Sequence, residues 1–308
     1  MKAGAIALPT TEKSTNVRTF RTLDARQMSF HLLGLLAPRL TASLATTLFL
    51  TPPEPRPLSP KARALFATAD DQFSVKLETQ LGKPETSRVN VWLWGRGPAV
   101  YLLHGWGGRG AQWISFVEPL VRAGFTAVVL DAPGHGESAA PRTSILHFAA
   151  ALTAVAESVG PAHGVIGHSL GGSAGALAIR RGMPANRAVL IGAPSTPAQF
   201  FDLFMDRLGI PERLHGLVRA EAERRYGFAW NDLAVAAPPK SLRGVDVPAL
   251  VVHDAGDLEV EPSNANRIAD AWPGAEVVTT HGLGHQRVLR HASVVERVVG
   301  WLSSGAPA

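Results

Sequence analysis

The sequence predicts an α/β fold, a mostly parallel central sheet covered by helices on both faces and carrying a small helical insertion. Short apolar runs recur along the chain, and each ends in a polar, glycine-rich loop. Segments of helical periodicity separate those runs, as crossover helices do between parallel strands. One interval, from Ile191 to Ala249, is too long for a simple crossover and predicts the insertion.

The first thirty residues have little periodicity. Within Leu32 to Leu50, Leu33, Leu36, Leu40, Leu44 and Leu48 recur at helical spacing and make one apolar stripe. Pro38 and Arg39 interrupt it, and a central arginine costs about 3 kcal/mol on insertion scales, so no membrane-spanning helix is expected. A secretory leader also fits poorly, because Arg18, Arg21, Asp24 and Arg26 precede the run and no small-residue cleavage site follows it. An amphipathic helix packed on the main body is expected, with peripheral membrane contact through Leu32–Leu50 as the alternative. Thr51 to Pro60, TPPEPRPLSP, cannot be helical throughout and reads as a connector. Residues 1–60 are therefore an N-terminal extension, and 61–308 the main domain.

Phe73–Leu81 and Arg88–Trp94 alternate as two antiparallel strands should, with Gly82–Glu85 as their turn. The following strands are Ala99–Leu103, Thr126–Leu130, Gly164–Ile166, Ala188–Ile191, Ala249–Val252 and Ala275–Thr280. Between and after them, Gln112–Ala123, Ile145–Val159, Ser173–Arg181, Asn264–Ala271 and Ser293–Leu302 have helical patterns. The insertion, about residues 195–242, reads as a helical cap. Its Phe200, Phe201, Phe204 and Trp230, with Trp113 from the loop after the first parallel strand, are the candidates to line an apolar substrate pocket.

Composition narrows the options. A chain of 308 residues with 46% hydrophobic content suits one domain with an insertion. The absence of cysteine excludes disulfides, thiolate catalysis and cysteine-ligated zinc, and is compatible with the cytoplasmic location expected here. The net charge of +5 comes from scattered basic residues, paired only at Arg180–Arg181 and Arg224–Arg225, so no nucleic-acid surface is expected.

The chemistry concentrates in GHSLGG, Gly167 to Gly172, which follows an apolar run and opens a helix-forming segment. Ser169 then sits on a tight strand-to-helix turn, where a hydroxyl stands clear of the backbone. Glycine two residues either side avoids collisions that a side chain would make there. Other loops carry HGWGG, His104 to Gly108, and DAPGHGES, Asp131 to Ser138, while His253, Asp254, Asp257 and HGLGH, His281 to His285, follow the last two strands. Polar loops at one edge of a parallel sheet are where such folds place their ligands.

This series of loops resembles the α/β-hydrolase superfamily, especially its bacterial members with an HG-x-G loop, a D-x-P-G-H-G-x-S loop and a G-H-S-x-G-G turn; the likeness runs from about Val75 to Leu302. It implies a Ser–Asp–His triad of Ser169, Asp257 and His285. Asp254 is the rival acid and His281 the rival base. It also implies an oxyanion hole made by the amides of Trp106 and Leu170. The implied activity is cleavage of a carboxylic ester or related acyl bond in a small-molecule substrate, with no cofactor and no metal. His104, His135, His168 and His253 are expected in structural hydrogen-bonding roles. Thioesterase, amidase or peptidase, carbon–carbon bond hydrolase and acyltransferase remain alternatives on the same triad, as does a non-catalytic binding protein on this scaffold.

Overall fold

The computed structural model describes residues 24–79, 85–235 and 246–304. Three helices open it: α1 (Ala25–Leu36), α2 (Pro38–Phe49) and α3 (Pro60–Phe66). Strands β1 (Asp71–Thr79), β2 (Glu85–Trp94) and β3 (Ala99–Leu103) follow, then α4 (Ile114–Arg122), β4 (Thr126–Leu130), α5 (Ile145–Val159), β5 (Ala162–His168), α6 (Leu170–Arg180) and β6 (Ala188–Ile191). The chain ends through α7 (Ala198–Leu208), α8 (His215–Tyr226), β7 (Ala249–Asp254), α9 (Ser263–Ala271), β8 (Glu276–Thr280), α10 (Gly284–Arg287) and α11 (Ala292–Ser303).

The strands form one eight-stranded sheet in the order β1-β2-β4-β3-β5-β6-β7-β8. β1 and β2 pair antiparallel, β2 joins β4 antiparallel, and the rest are parallel. The expected fold class is therefore the observed one. Parallel strands covered on both faces have no polar side to show, which is why TAVVL of β4 and AVLI of β6 are buried at every position. On one face Leu103, Leu130, Val165 and Leu190 meet Phe148 and Leu152 of α5, Leu177 of α6 and Ile268 of α9. On the other, Leu102, Val129, Ile166 and Val252 meet Phe116 and Leu120 of α4 and Val298 and Leu302 of α11.

Two boundaries differ from expectation for local reasons. Strand β5 runs to His168 and α6 begins at once with Leu170, because the flanking polar residues of the strand are buried with partners: His163 bonds the Leu302 carbonyl at 3.1 Å. The single helix expected over Leu32–Leu50 is two helices. Pro38 has no amide to continue α1, so the Ala37 amide closes α1 on the Leu33 carbonyl at 2.7 Å and Pro38 opens α2. Residues 82–84 of the expected Gly82–Glu85 turn, and residues 236–242 of the expected cap, lie outside the described residues.

The two N-terminal helices lie on the insertion. Ala42 and Ala45 of α2 share a buried cluster with Phe201, Met205 and Leu208 of α7, Ile210 and Leu214 of the connection after it, and Val218 of α8. Arg225 of α8 anchors α2 through Ser43 Oγ and Thr47 Oγ1, both at 2.8 Å. Phe49 at the end of α2 meets Phe201 and Phe204 edge to face and Trp230 at a tilt, forming one aromatic group. The face of α2 turned inward is built of small residues, Thr41, Ala42, Ala45 and Thr46, whereas Leu40, Leu44 and Leu48 are exposed.

That inversion predicts an unusual ranking of mutations. Ala45→Leu adds volume to a closed contact and should cost about 1–3 kcal/mol. Leu44→Ala removes a larger apolar side chain from an exposed position and should stay within about 0.5 kcal/mol of the parent. Urea unfolding of the two variants checks the order.

Candidate active site

The loops that leave β3, β4, β5, β6, β7 and β8 converge at the carboxyl edge of the sheet. The sharpest constraint lies between β5 and α6. Ser169 has φ 52° and ψ −125°, and among the described residues no other non-glycine residue has positive φ. The turn is closed around it: a Cβ on Gly167 would lie 2.5 Å from the Gly172 Cα, and one on Gly171 would strike the carbonyls of Leu103 and His104. Strain of this kind persists only where the surroundings over-determine it, and it clusters at functional sites.

His285 and Asp257 meet beside this turn. His285 Nδ1 donates to Asp257 Oδ2 at 2.7 Å, and both side chains are buried. Burial pushes the Asp257 carboxyl upward, but donors from His253 and His285 and the Val260 amide outweigh it and hold the group well below the usual carboxylate range. The second oxygen, Oδ1, accepts from the amides of Glu259 and Val260, both at 2.9 Å. With Asp257 ionised, its Oδ2 can only accept, so Nδ1 of His285 is the donor in this bond. No hydrogen bond joins Ser169 Oγ to His285 among the described residues.

The rival residues are placed elsewhere. His281 is exposed at the end of β8. Asp254 is buried and serves the backbone: Oδ1 accepts from the Gly256 amide at 2.9 Å, and Oδ2 from Thr280 Oγ1 at 2.8 Å and the Leu283 amide at 3.0 Å. It thereby ties the β7 loop to the segment that leads into His285.

Each of the four histidines expected in structural roles has a backbone partner. His104 donates from Nδ1 to the Gly105 carbonyl at 2.7 Å and accepts the Ala132 amide at Nε2 at 3.0 Å. His135 accepts the Gly107 amide at 2.9 Å. Burial drives their pKa values down to about 4 and about 3, so both are neutral acceptors at pH 7. His253 Nε2 bonds the Val260 carbonyl at 3.0 Å. His168 donates from Nε2 to the His285 carbonyl at 2.9 Å while Gln112 Nε2 bonds its Nδ1 at 2.5 Å. Among the described residues no three His, Asp or Glu side chains are grouped to hold a metal ion.

The loop after β3 runs beside the turn. Its Trp106 is 39% exposed, and neither the Trp106 nor the Leu170 amide finds a protein acceptor among the described residues. Asp131 braces this loop against the next, accepting the Gly110 amide at 2.6 Å and the Glu137 amide at 2.7 Å.

The expected pocket residues separate. Trp113 is fully buried against Phe116 in the core on the α4 side of the sheet, so packing accounts for it. Phe201, Phe204 and Trp230 belong to the aromatic group shared with Phe49. Phe200 is half-buried and outside that group. Two participants escape sequence reasoning. Gly192, just past β6, leaves room that a Cβ would take within 3.2 Å of His285 Nδ1. Gln112 carries no motif of its own, and only the helix start at Gly110 brings it to His168.

A family model described as alpha/beta hydrolase fold matches residues 98–225, and one described as TAP-like protein matches residues 223–307. The chain belongs to the α/β-hydrolase superfamily. A pimeloyl-[acyl-carrier protein] methyl ester esterase of Methylococcus capsulatus is 40% identical over 108 residues, 34% of this chain and 41% of that protein. The chain thus spans about two fifths of the length of that relative. A 2-hydroxy-6-oxononadienedioate/2-hydroxy-6-oxononatrienedioate hydrolase of Dechloromonas aromatica is 27% identical over 250 residues, covering 65% of this chain and 84% of its own. A Pyrococcus furiosus esterase structure superposes with a TM-score of 0.58 at 18% identity, over 83% of this α/β-hydrolase chain and 97% of the esterase. At that identity the likeness is one of fold. No described helix is long and apolar enough to cross a membrane.

The bonds at Asp254 generate a prediction about acid. Burial raises its carboxyl, but donors from Gly284, Leu283, Thr280 and Gly256 outweigh this and lower the pKa to about 2. The folded value lies below the unfolded one, so the group contributes roughly 2 kcal/mol above about pH 4, and that contribution is lost as the pH falls through about 2. Asp254→Asn should therefore lower the melting temperature at pH 6 and lose most of its effect near pH 2. A difference that is constant from pH 6 to 2 would show that the carboxylate charge is not what matters.

Proposed function

We propose that this protein is a serine hydrolase that cleaves a carboxylic ester or related acyl bond through Ser169, His285 and Asp257. The observation that carries the reading is the forced positive φ of Ser169 on a glycine-lined strand-to-helix turn, beside a histidine oriented by a buried, ionised carboxylate. A serine hydroxyl is a weak nucleophile and needs a neighbouring base. In this reading Nε2 of His285 takes the Ser169 proton as the oxygen attacks the acyl carbon, and returns it to the leaving alcohol. Asp257 fixes the imidazole tautomer and stabilises the imidazolium without becoming protonated. The amides of Trp106 and Leu170 receive the oxyanion, which agrees with their lack of protein acceptors. Water then repeats the steps to release the acid from the acyl-enzyme. The name of the Methylococcus capsulatus relative, a methyl ester esterase, agrees with an ester as the bond cleaved.

The substrate is a small molecule, and the protein acts in the cytoplasm. The half-buried Phe200 at the start of α7 is the cap residue proposed to face the acyl chain, while Phe201, Phe204 and Trp230 shape that region from behind.

Ser169→Ala should abolish turnover and leave the fold intact. His285→Ala should be as damaging, and the double variant little worse, because the two act as one unit. Asp257→Asn should lower kcat by about 10⁴, with Asp254→Asn and His281→Ala far milder. Rates on a p-nitrophenyl ester, with circular dichroism for folding, settle the assignment; activity surviving in Ser169→Ala would remove it.

Specificity gives a separate outcome. Phe200→Ala should change the ranking of esters by acyl length, each methylene being worth about 1–3 kcal/mol. An unchanged ranking of kcat/KM across short and medium acyl chains would exclude Phe200 from the pocket.

A further inference from the structure

Six apolar residues recur at intervals of four along the two N-terminal helices: Met28, Leu32, Leu36, Leu40, Leu44 and Leu48. Every one is exposed, from 39% at Leu48 to 85% at Leu36, and Leu35 beside them is 53% exposed. The opposite side of α2, lined with Thr41, Ala42, Ala45 and Thr46, already packs on the insertion. The leucine row thus has no covering element within the described residues. Monomeric proteins rarely expose so continuous an apolar surface unless it meets something.

Charge indicates what it meets. Residues 1–50 carry Lys2, Lys13, Arg18, Arg21, Arg26 and Arg39 against only Glu12 and Asp24, so most of the chain's net charge of +5 lies there. From Ala25 to Pro53 there is no acidic residue at all, and Arg26 and Arg39 are exposed near the row. A second copy of this surface would bring like charge against like. An anionic lipid surface offers both apolar depth and negative charge, and an amphipathic helix lying flat in the interface uses both.

The position relative to the loops of the site gives such docking a consequence. Past α2, the Leu50 carbonyl accepts the Thr143 amide at 2.8 Å, Pro52 lies against Gly134, Pro53 lies against Gly107, and the Arg56 carbonyl accepts from Arg109 Nη1 at 2.9 Å. The chain that leaves the leucine row therefore runs across the loops next to Trp106.

We propose that α1 and α2 form a docking surface that seats the insertion on an anionic lipid bilayer through Met28, Leu32, Leu36, Leu40, Leu44 and Leu48. Docking does not depend on the proposed reaction, so its test does not use turnover. The full chain is sedimented with vesicles of phosphatidylcholine alone and with about one quarter phosphatidylglycerol. The parent should bind the anionic vesicles at least about tenfold more tightly than the neutral ones, and about 0.5 M salt should weaken that binding. The combined variant Leu36→Ser, Leu40→Ser, Leu44→Ser should lose binding by about tenfold or more at an unchanged melting temperature. If it melts early, Arg26→Gln with Arg39→Gln provides the second arm, with an expected loss on anionic vesicles only. Ser169→Ala should bind like the parent whether or not the proposed chemistry is right. The proposal is overturned if the parent ignores anionic vesicles, if the combined Leu36→Ser, Leu40→Ser, Leu44→Ser variant binds as well as the parent, or if sedimentation velocity shows a dimer that the leucine substitutions dissociate.

Discussion

The passage from β5 to α6 through Ser169 is the constraint on which the rest of the site depends. A strand in the middle of a parallel sheet must stop, reverse its backbone sign at one residue, and start a helix with no linker. The energy of a non-glycine residue at φ 52° is of order 1–3 kcal/mol, and it is held only because both neighbours of the turn lack side chains. Gly171 lets the carbonyls of Leu103 and His104 come within contact, and Gly167 lets the start of α6 at Gly171 and Gly172 close on the end of β5. Once that approach is fixed, the HGWGG loop can run only beside Ser169. The core on both sheet faces supplies the rigidity, and the turn directs it to one atom.

Two carboxylates three residues apart show how environment divides labour. Asp254 and Asp257 are both buried and both held ionised by donors, yet their partners differ in kind. Asp254 spends its oxygens on the backbone and Thr280, which fixes the shape of the loop after β8. Asp257 gives one oxygen to the backbone and aims the other at His285. From the other side, Gln112 and His168 hold the carbonyl of His285, so the histidine is located through its backbone as well as its ring. In the proposed mechanism only the Asp257 bond would strengthen as the imidazole gains a proton; the remainder sets position.

The fold class was legible because parallel strands and crossover helices write different periods, and six of the eight strands stood out as apolar runs before glycine loops. Spacing alone could not rank Asp254 against Asp257 or His281 against His285, since each pair shares a loop and a residue type. Burial separates the two histidines and hydrogen-bond partners separate the two aspartates, and both are properties of the whole fold. Gln112 was illegible for the same reason: nothing in GAQW marks a glutamine whose partner lies 56 residues away. The packing of the aromatic residues of the insertion was likewise out of reach of the sequence. Phe201, Phe204 and Trp230 pack on Phe49, roughly 150 to 180 residues away on another helix.

The N-terminal helices were read from their leucine spacing as a stripe that packs inward, and the structure places the leucines outward. The reason is geometric. Interaxial approach of two helices depends on the side chains at the contact, and α2 lies close on α8 with Ala42, Ala45, Thr41 and Thr46, small enough for Arg225 to reach Ser43 and Thr47 as well. Leucine at those positions would hold the helices apart and break both bonds. A small-residue face can thus be the packed face when polar anchors fix its distance, and the larger apolar face is then left uncovered among the described residues. Hydrophobic periodicity names the apolar side of a helix; which side the protein itself covers is decided by the partner surface.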